Sequence, residues 1–258
     1  MGNNVFEVNE LSFSYGQHHV IKDMSFTVPK GKITTLIGAN GCGKSTLFHL
    51  MTGNLKPQQG KILMEDTDIN KLKLKEFAKR AAIVHQYNTA PSDLTVEKLV
   101  SYGRTPYHKL GRANNVKEDE EKIRWALEIT NTYKHKDKLV SSLSGGQKQR
   151  VWIAMALAQD TKVLFLDEPT TYLDVRYQLQ ILKLIKKLNR EYGITVIMVL
   201  HDINQSLYYS DEIIAMKDGK VLSHGKPEQI ITQKLVKDVY DVDLNLIHVD
   251  EKPFVIAV

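Results

Sequence analysis

The residues with the clearest chemical potential lie between Gly38 and Thr46, in the segment Gly-Ala-Asn-Gly-Cys-Gly-Lys-Ser-Thr. Glycines let backbone N–H groups curl around phosphate oxygens without steric clashes. A helix that begins near Gly43 would direct its positive end at the same anion. Lys44 is placed to reach the β- and γ-phosphates of a nucleotide, and the Ser45 hydroxyl to ligate Mg²⁺. We therefore predict a loop that holds ATP and Mg²⁺ through Gly38, Asn40, Gly41, Cys42, Gly43, Lys44, Ser45 and Thr46.

Cys42 is the only cysteine of the chain, so the chain forms no internal disulfide. Proximity to a helix N-terminus lowers the pKa of a thiol. We therefore expect Cys42 to react with a maleimide and bound ATP to protect it. No catalytic role is expected for this side chain.

Two carboxylates follow a second apolar segment, Val163–Asp167, which is predicted to be a buried strand. In phosphoryl-transfer enzymes the first carboxylate supports the Mg²⁺ shell, which is the role we assign to Asp167. Glu168 is then placed to polarise the attacking water. On its own, such a pair is more often a helix cap or a surface feature. Together with the phosphate-binding loop, it predicts hydrolysis.

The elements that must position these groups alternate between strands and helices, which indicates an α/β fold. A helical pattern begins at Leu47 and runs to Met51, and another ends near Glu191. The best helix candidate, Val116–Thr132, lies in a polar stretch from Asn88 to Leu139 that contains no convincing strand. The predicted strands are 5–15, 20–28, 32–37, 61–64, 81–85, 163–167 and 194–201, with a later hairpin turning at 217–219.

This organisation predicts one domain over residues 1–258 rather than two domains in series. The core and an antiparallel β subdomain are assigned to residues 1–87 and 159–225. A helical insertion is assigned to 88–158, and a small mixed appendage to 226–258.

The amino-acid composition indicates the class of protein and its expected location. Of the 258 residues, 42% are hydrophobic and 25% are charged, which is typical of a globular protein. The apolar runs are far shorter than the roughly 20 residues of a membrane-spanning helix, and the N-terminus lacks a signal-peptide pattern. A cytoplasmic location is therefore expected. The net charge is +5, but the basic residues do not alternate with aromatic ones, so no nucleic-acid partner is expected.

The segment Leu143-Ser-Gly-Gly-Gln147, followed by Lys-Gln-Arg, resembles the signature motif of ABC transporter ATPases. The resemblance implies a P-loop NTPase core with an antiparallel β subdomain and an inserted helical subdomain. Ser144, Gly145, Gly146 and Gln147 open a helix, and a helix N-terminus binds anions. In this family each signature motif caps the ATP held by the other subunit. The resemblance therefore implies a head-to-tail dimer with a second copy of the chain.

Other motifs of the family occur in the expected order. Tyr15 matches the aromatic residue that stacks on adenine, and Gln86 matches the glutamine that senses Mg²⁺ and the γ-phosphate. Asp174 matches the aspartate of the loop that, in this family, meets the partner subunit. His201 matches the histidine that contacts the γ-phosphate. The implied catalytic residues are therefore Lys44, Gln86, Glu168 and His201, and the implied metal ligands are Ser45, Gln86 and Asp167.

Several stretches resemble a narrower branch of the family. Gly103–Tyr107 is similar to an element of ATPases that drive uptake of iron-siderophore complexes, haem and cobalamin. The stretches 151–161, 170–174 and 198–205 are similar to the siderophore branch. This resemblance implies a peripheral ATPase on the cytoplasmic face of the membrane, bound to an integral permease and served indirectly by an extracytoplasmic substrate-binding protein. Tyr87–Leu94 is the stretch expected to receive the permease.

Three other functions remain open. An importer of haem or cobalamin would share most of these motifs. A soluble ABC ATPase, such as one serving iron–sulfur assembly, would share the catalytic set. An ATP-switched clamp on DNA or ribosomes is disfavoured, because such clamps carry two cassettes or a long coiled coil, and this chain has one cassette without sustained heptads.

Overall fold

The strands and helices follow the apolar patterning of the chain in the computed structural model, which describes residues 3–108, 115–249 and 252–256. The strands are β1 (Asn4–Tyr15), β2 (His18–Pro29), β3 (Ile33–Gly38), β4 (Gln59–Met64), β5 (Thr67–Asp68), β6 (Ala81–Val84), β7 (Val163–Asp167), β8 (Thr195–Val199), β9 (Glu212–Lys217), β10 (Lys220–Gly225), β11 (Asn245–Val249) and β12 (Lys252–Ile256). The helices are α1 (Lys44–Met51), α2 (Leu74–Phe77), α3 (Val96–Ser101), α4 (Val116–Ile129), α5 (Gly145–Ala158), α6 (Val175–Tyr192), α7 (Ile203–Tyr209), α8 (Pro227–Ile230) and α9 (Gln233–Tyr240).

One of two compact units contains residues 1–72 and 195–258. Its antiparallel sheet has the strand order β2-β1-β4-β5. Beside that sheet, β3 pairs in parallel with β8 on one side and β9 on the other, and β10 pairs antiparallel with β9. All side chains of β3 and β8 are buried, which is the pattern of parallel strands covered on both faces. The carboxyl end of β3 leads directly into the predicted phosphate-binding loop.

The other unit contains residues 73–194. Strand β6 pairs in parallel with β7, whose five residues are all buried. Helices α3, α4 and α5 pack on one another, and α6 follows β7. Between Asn88 and Leu139, the described residues contain helices and a single isolated β-bridge, Thr95 to Leu139. The predicted helical character of this stretch is confirmed, as is the α/β class with an antiparallel β part.

The ends of several elements differ from the sequence-based expectation. The predicted strand 194–201 ends at Val199 in the structure. The chain turns there so that the Asp202 carboxylate caps α7 by accepting from Gln205 N at 2.8 Å. Helix α1 begins at Lys44, which agrees with the start expected near Gly43. The division into one domain with a helical insertion stays a prediction.

No helix in the described part of the chain is long and apolar enough to cross a membrane.

Candidate functional site

The predicted phosphate-binding loop joins the buried strand β3 to helix α1. Gly43 occupies the N-cap position of α1 with φ of 105°, a conformation that residues with a side chain rarely adopt. A Cβ added there would also lie 3.2 Å from the backbone oxygen of Val20. The first turn of α1 has no acidic residue, so the positive helix end is not neutralised by its own side chains. The loop is therefore built to accept an anion.

Lys44 is held inside this loop. Its side chain is buried, and Nζ donates to the carbonyl oxygens of Gly38 at 2.7 Å and Ala39 at 3.0 Å. Among the residues that the structure describes, no carboxylate forms an ion pair with Lys44. A buried cation that is held by carbonyl groups and not by a carboxylate attracts an anion strongly. Ser45 and Asn40 are exposed at the rim, and Thr46 is half-buried.

A contact that the sequence did not reveal supports the loop from the β9–β10 hairpin. Gly219 N donates to Cys42 O at 3.1 Å, and Lys22 N donates to Gly219 O at 2.8 Å. A Cβ at Gly219 would collide with the backbone oxygen of Val20. The Asp-Gly pair signals a hairpin turn in the sequence, but not that the turn holds the phosphate-binding loop.

The expected low thiol pKa of Cys42 is wrong. The side chain points inward and is only 5% exposed, with Sγ packed against Gly38. Burial raises the pKa of the thiol, and this effect outweighs the opposing influence of Lys44 and of the backbone N–H groups. The helix N-terminus lowers a thiol pKa only where the thiolate remains solvated.

We expect native Cys42 to react with a maleimide at least about tenfold more slowly than the unfolded chain does, because burial suppresses both access and the thiolate fraction. Labelling would be followed by mass spectrometry at neutral pH, with and without urea. Equal rates in the two states would contradict the buried position of this thiol.

Tyr15 lies at the end of β1 and is 51% exposed. Its ring meets that of Phe13 edge-on, with the ring centres 4.9 Å apart. This contact orients the Tyr15 ring while leaving about half of the side chain accessible. Stacking on adenine stays a prediction.

In the unit formed by residues 73–194, the structure brings Gln86 and Glu168 together. Gln86 follows β6 and donates from Nε2 to Glu168 Oε2 at 2.5 Å. Thr171 Oγ1 donates to the same oxygen at 3.0 Å. Glu168 itself has φ of 48°, a strained conformation that is common at functional sites. Two neutral donors thus orient one carboxylate immediately after the buried Asp167.

Two exposed tyrosines form a second link between the same two loops. Tyr87 and Tyr172, which are 70% and 80% exposed, share a hydrogen bond of 2.9 Å between their hydroxyl groups. The sequence did not indicate this contact, because only the fold places Tyr87 beside Tyr172.

The signature-like segment caps helix α5. Ser144 Oγ accepts from Gln147 N at 3.4 Å, and Gln147 Oε1 accepts from Ser144 N at 3.0 Å. The first turn of α5 carries no acidic residue, which leaves its positive end available to an anion. A Cβ at Gly145 would make only an ordinary contact, whereas one at Gly146 would overlap the Tyr177 ring. Close packing against Tyr177 therefore requires a glycine at position 146, in addition to the predicted role of this residue in nucleotide binding.

Asp174 and His201 each stand next to a helix. Asp174 caps α6 by accepting from Tyr177 N at 3.0 Å. His201 is exposed between β8 and α7. Helix capping alone is a sufficient reason for an aspartate at position 174, whether or not this residue contacts a partner subunit. The roles assigned to Asp174 and His201 stay predictions.

The predicted metal ligands are a hydroxyl (Ser45), an amide (Gln86) and a carboxylate (Asp167), and such oxygen donors are what Mg²⁺ prefers. In the described residues no group of three or more His, Cys, Asp or Glu side chains could hold a metal ion by itself. Mg²⁺ is usually bound through one or two carboxylates together with substrate phosphates, so a donor set with the single carboxylate Asp167 fits a metal that arrives with a nucleotide.

The Gly103–Tyr107 element has a structural role that its sequence did not show. Gly103 packs so tightly against α5 that a Cβ would collide with Met155 O. Arg104 is 2% exposed and donates from Nε to Asp119 at 2.6 Å and from Nη1 to Ala158 O at 2.9 Å. Its guanidinium also lies 4.2 Å from the Tyr107 ring centre.

We expect Arg104→Ala to lower the free energy of unfolding by about 3 kcal/mol, because Asp119 loses its buried partner and keeps only the more exposed His108. Urea titration followed by circular dichroism would measure the loss. Arg190→Ala, on the exposed side of α6, is the matched control and should change stability by less than about 0.5 kcal/mol. Similar losses in both variants would show that the Arg104 network is not stabilising.

Comparison with known proteins gives consistent matches. A family model described as "ABC transporter" matches residues 21–171. The iron(3+)-hydroxamate import ATP-binding protein FhuC of Bacillus subtilis (strain 168) is 44% identical over 245 residues, which cover 95% of this chain and 90% of the relative. The petrobactin import ATP-binding protein FpuC of Bacillus anthracis is 42% identical over 250 residues, which cover 97% and 92%.

Solved structures match as well. An inward-facing metal-chelate type ABC transporter superimposes with a TM-score of 0.85 at 26% identity, over 99% of this chain and 97% of the matched chain. The dimeric MJ0796, a bacterial ABC transporter cassette, matches with a TM-score of 0.75 at 28% identity, over 86% and 98%.

Proposed function

The chain belongs to the ABC transporter family, and from this premise we propose that it hydrolyses ATP to drive the import of ferric siderophore complexes through a membrane permease. The observation that carries the hydrolytic part is the Glu168 carboxylate, oriented by Gln86 and Thr171. The cargo is supported by two relatives, each more than 40% identical, whose names specify hydroxamate and petrobactin import.

In this proposal Lys44 and the loop N–H groups bind the triphosphate, and Glu168 accepts the proton of the attacking water. Ser45, Asp167 and Gln86 would hold Mg²⁺, which neutralises charge on the phosphates. Tyr15 stacks on adenine, and His201 contacts the γ-phosphate. Each of these roles is proposed from the motif positions, and those of Lys44 and Glu168 are also supported by their local hydrogen bonds.

We further propose that two copies pair head to tail, so that the α5 N-terminus of one caps the nucleotide of the other. The unneutralised first turn of α5 and the dimeric form of a related cassette support this arrangement. Closure of the pair would shift the permease between conformations. Residues 87–94, which lack regular structure and are mostly exposed, offer the permease an accessible surface on the cytoplasmic side.

Uptake in cells that lack this chain tests the proposal. Cells complemented with the wild type should accumulate ⁵⁵Fe from a ferric hydroxamate, and cells complemented with Glu168→Gln should not. Uptake of haem or cobalamin instead would support the importer function and contradict the assignment of siderophores as the cargo. A wild-type protein that hydrolyses ATP but restores no uptake, and that is recovered free of any permease after gentle solubilisation, would overturn the transport function.

A further inference from the structure

The described residues of the C-terminal segment, 226–249 and 252–256, include several that pack directly behind the strand that enters the phosphate-binding loop. Ile37, the residue before Gly38, is buried in one apolar cluster with residues of this segment, and Tyr240 packs against that cluster. The members contributed by the segment are Ile231, Val236, Val239 and Val255. This segment therefore shares a core with the strand that leads into the loop.

Two polar anchors fix this segment in place. The Asn204 side chain donates to Val255 O at 2.9 Å and accepts from Val255 N at 2.8 Å. Lys217 Nζ donates to Asp241 Oδ1 at 2.6 Å. Lys217 follows Met216, which is the parallel pairing partner of Gly38. The end of α9 is thus held beside the first residue of the phosphate-binding loop.

The hydroxyl of Tyr240 is the unusual group at this contact. Its oxygen is buried and has no hydrogen-bond partner among the described residues. Burial raises the pKa of Tyr240 to about 12, and the backbone N–H of Gly38 opposes that rise. A buried hydroxyl without a partner is rare in proteins and calls for an explanation.

A change in the loop would supply the missing partner. In the structure Lys44 Nζ is the donor that satisfies Gly38 O and Ala39 O. Triphosphate oxygens would draw the Lys44 ammonium toward themselves, because a charge-assisted bond to phosphate is stronger than a bond to a carbonyl. The carbonyl of Gly38 then loses a donor in the nucleotide-bound loop.

We infer that Tyr240 is a positioning residue for the nucleotide, whose hydroxyl donates to the Gly38 carbonyl oxygen once Lys44 has turned from that oxygen to the phosphates of ATP. This inference rests on the proposed function of the loop. It makes the C-terminal segment part of the nucleotide-binding machinery, because the bond favours the bound form of the loop over the free form.

The test compares Tyr240→Phe with the wild type in two measurements. Without nucleotide, the melting temperature should be unchanged or higher, because the variant removes a buried hydroxyl that has no partner. Affinity for a fluorescent ATP analogue should fall about 3- to 10-fold, as expected for one lost hydrogen bond. The KM for ATP should rise by the same factor while kcat at saturation changes little. Tyr208→Phe, at an exposed tyrosine of α7, is the matched control and should leave both values unchanged.

The outcomes distinguish a failure of the Tyr240 inference from a failure of the proposed function. A wild type that binds no ATP analogue would contradict the proposed function itself. Wild-type affinity in Tyr240→Phe, or affinity and nucleotide-free melting temperature that fall together, would overturn the positioning role. Asp241→Asn removes the ion pair with Lys217 and keeps a residue type that tolerates φ of 58°. Asp241→Asn should also lower the affinity for the ATP analogue. Wild-type affinity in this variant would show that the Lys217–Asp241 ion pair does not help to position Tyr240.

Discussion

Glu168→Gln will bind ATP like the wild type and hydrolyse it about 10²- to 10⁴-fold more slowly. The amide cannot accept the proton of the attacking water, and a positioned general base contributes a factor of this size. Binding survives because the substitution keeps the shape of the side chain. Its amide oxygen can still accept from Gln86 Nε2 and Thr171 Oγ1, the two donors that orient the carboxylate.

Phosphate release under saturating Mg-ATP measures the rate, and a fluorescent ATP analogue measures binding. Glu128→Gln, at an exposed position of α4, is the matched control and should hydrolyse ATP at the wild-type rate. A Glu168→Gln protein with near wild-type turnover would show that another group is the base. Loss of nucleotide binding in that variant would instead indicate that Glu168 is structural.

Lys44→Ala will weaken ATP binding by about 10- to 100-fold, the range expected when one hydrogen bond to a charged group is lost. The variant also loses the two bonds from Nζ to Gly38 O and Ala39 O, so the free loop becomes less ordered. Affinity should therefore fall through both the missing charge and the less organised loop.

Titration with the same ATP analogue measures this loss. Lys183→Ala, on the exposed face of α6, removes one positive charge elsewhere and should bind normally. An equal loss in the two variants would point to a general effect of net charge, and unchanged affinity in Lys44→Ala would contradict the assignment of the loop.

The local sequence was sufficient to predict the elements that carry the site. The short apolar runs ending at Ile37 and Asp167 predicted buried strands, and both are strands with every residue buried. The glycines and lysine between Gly38 and Thr46 predicted a phosphate-binding loop because few residue types suit that backbone. The two strands are confirmed because a run of consecutive apolar residues indicates burial on both faces of a sheet. Phosphate binding by the loop stays a prediction.

Only the tertiary structure decided how long-range neighbours change the same residues. Cys42 has a raised thiol pKa because the inward turn of its side chain buries it, whereas its position at a helix N-terminus predicted the opposite. Gly219 donates to the phosphate-binding loop from about 180 residues further along the chain, and Tyr240, about 200 residues further on, packs against the cluster that contains Ile37. Arg104, which the sequence marks only as part of a family element, proves to be a buried cation that joins α4 to α5. Burial and pairing across such distances depend on packing, and no local residue pattern specifies them.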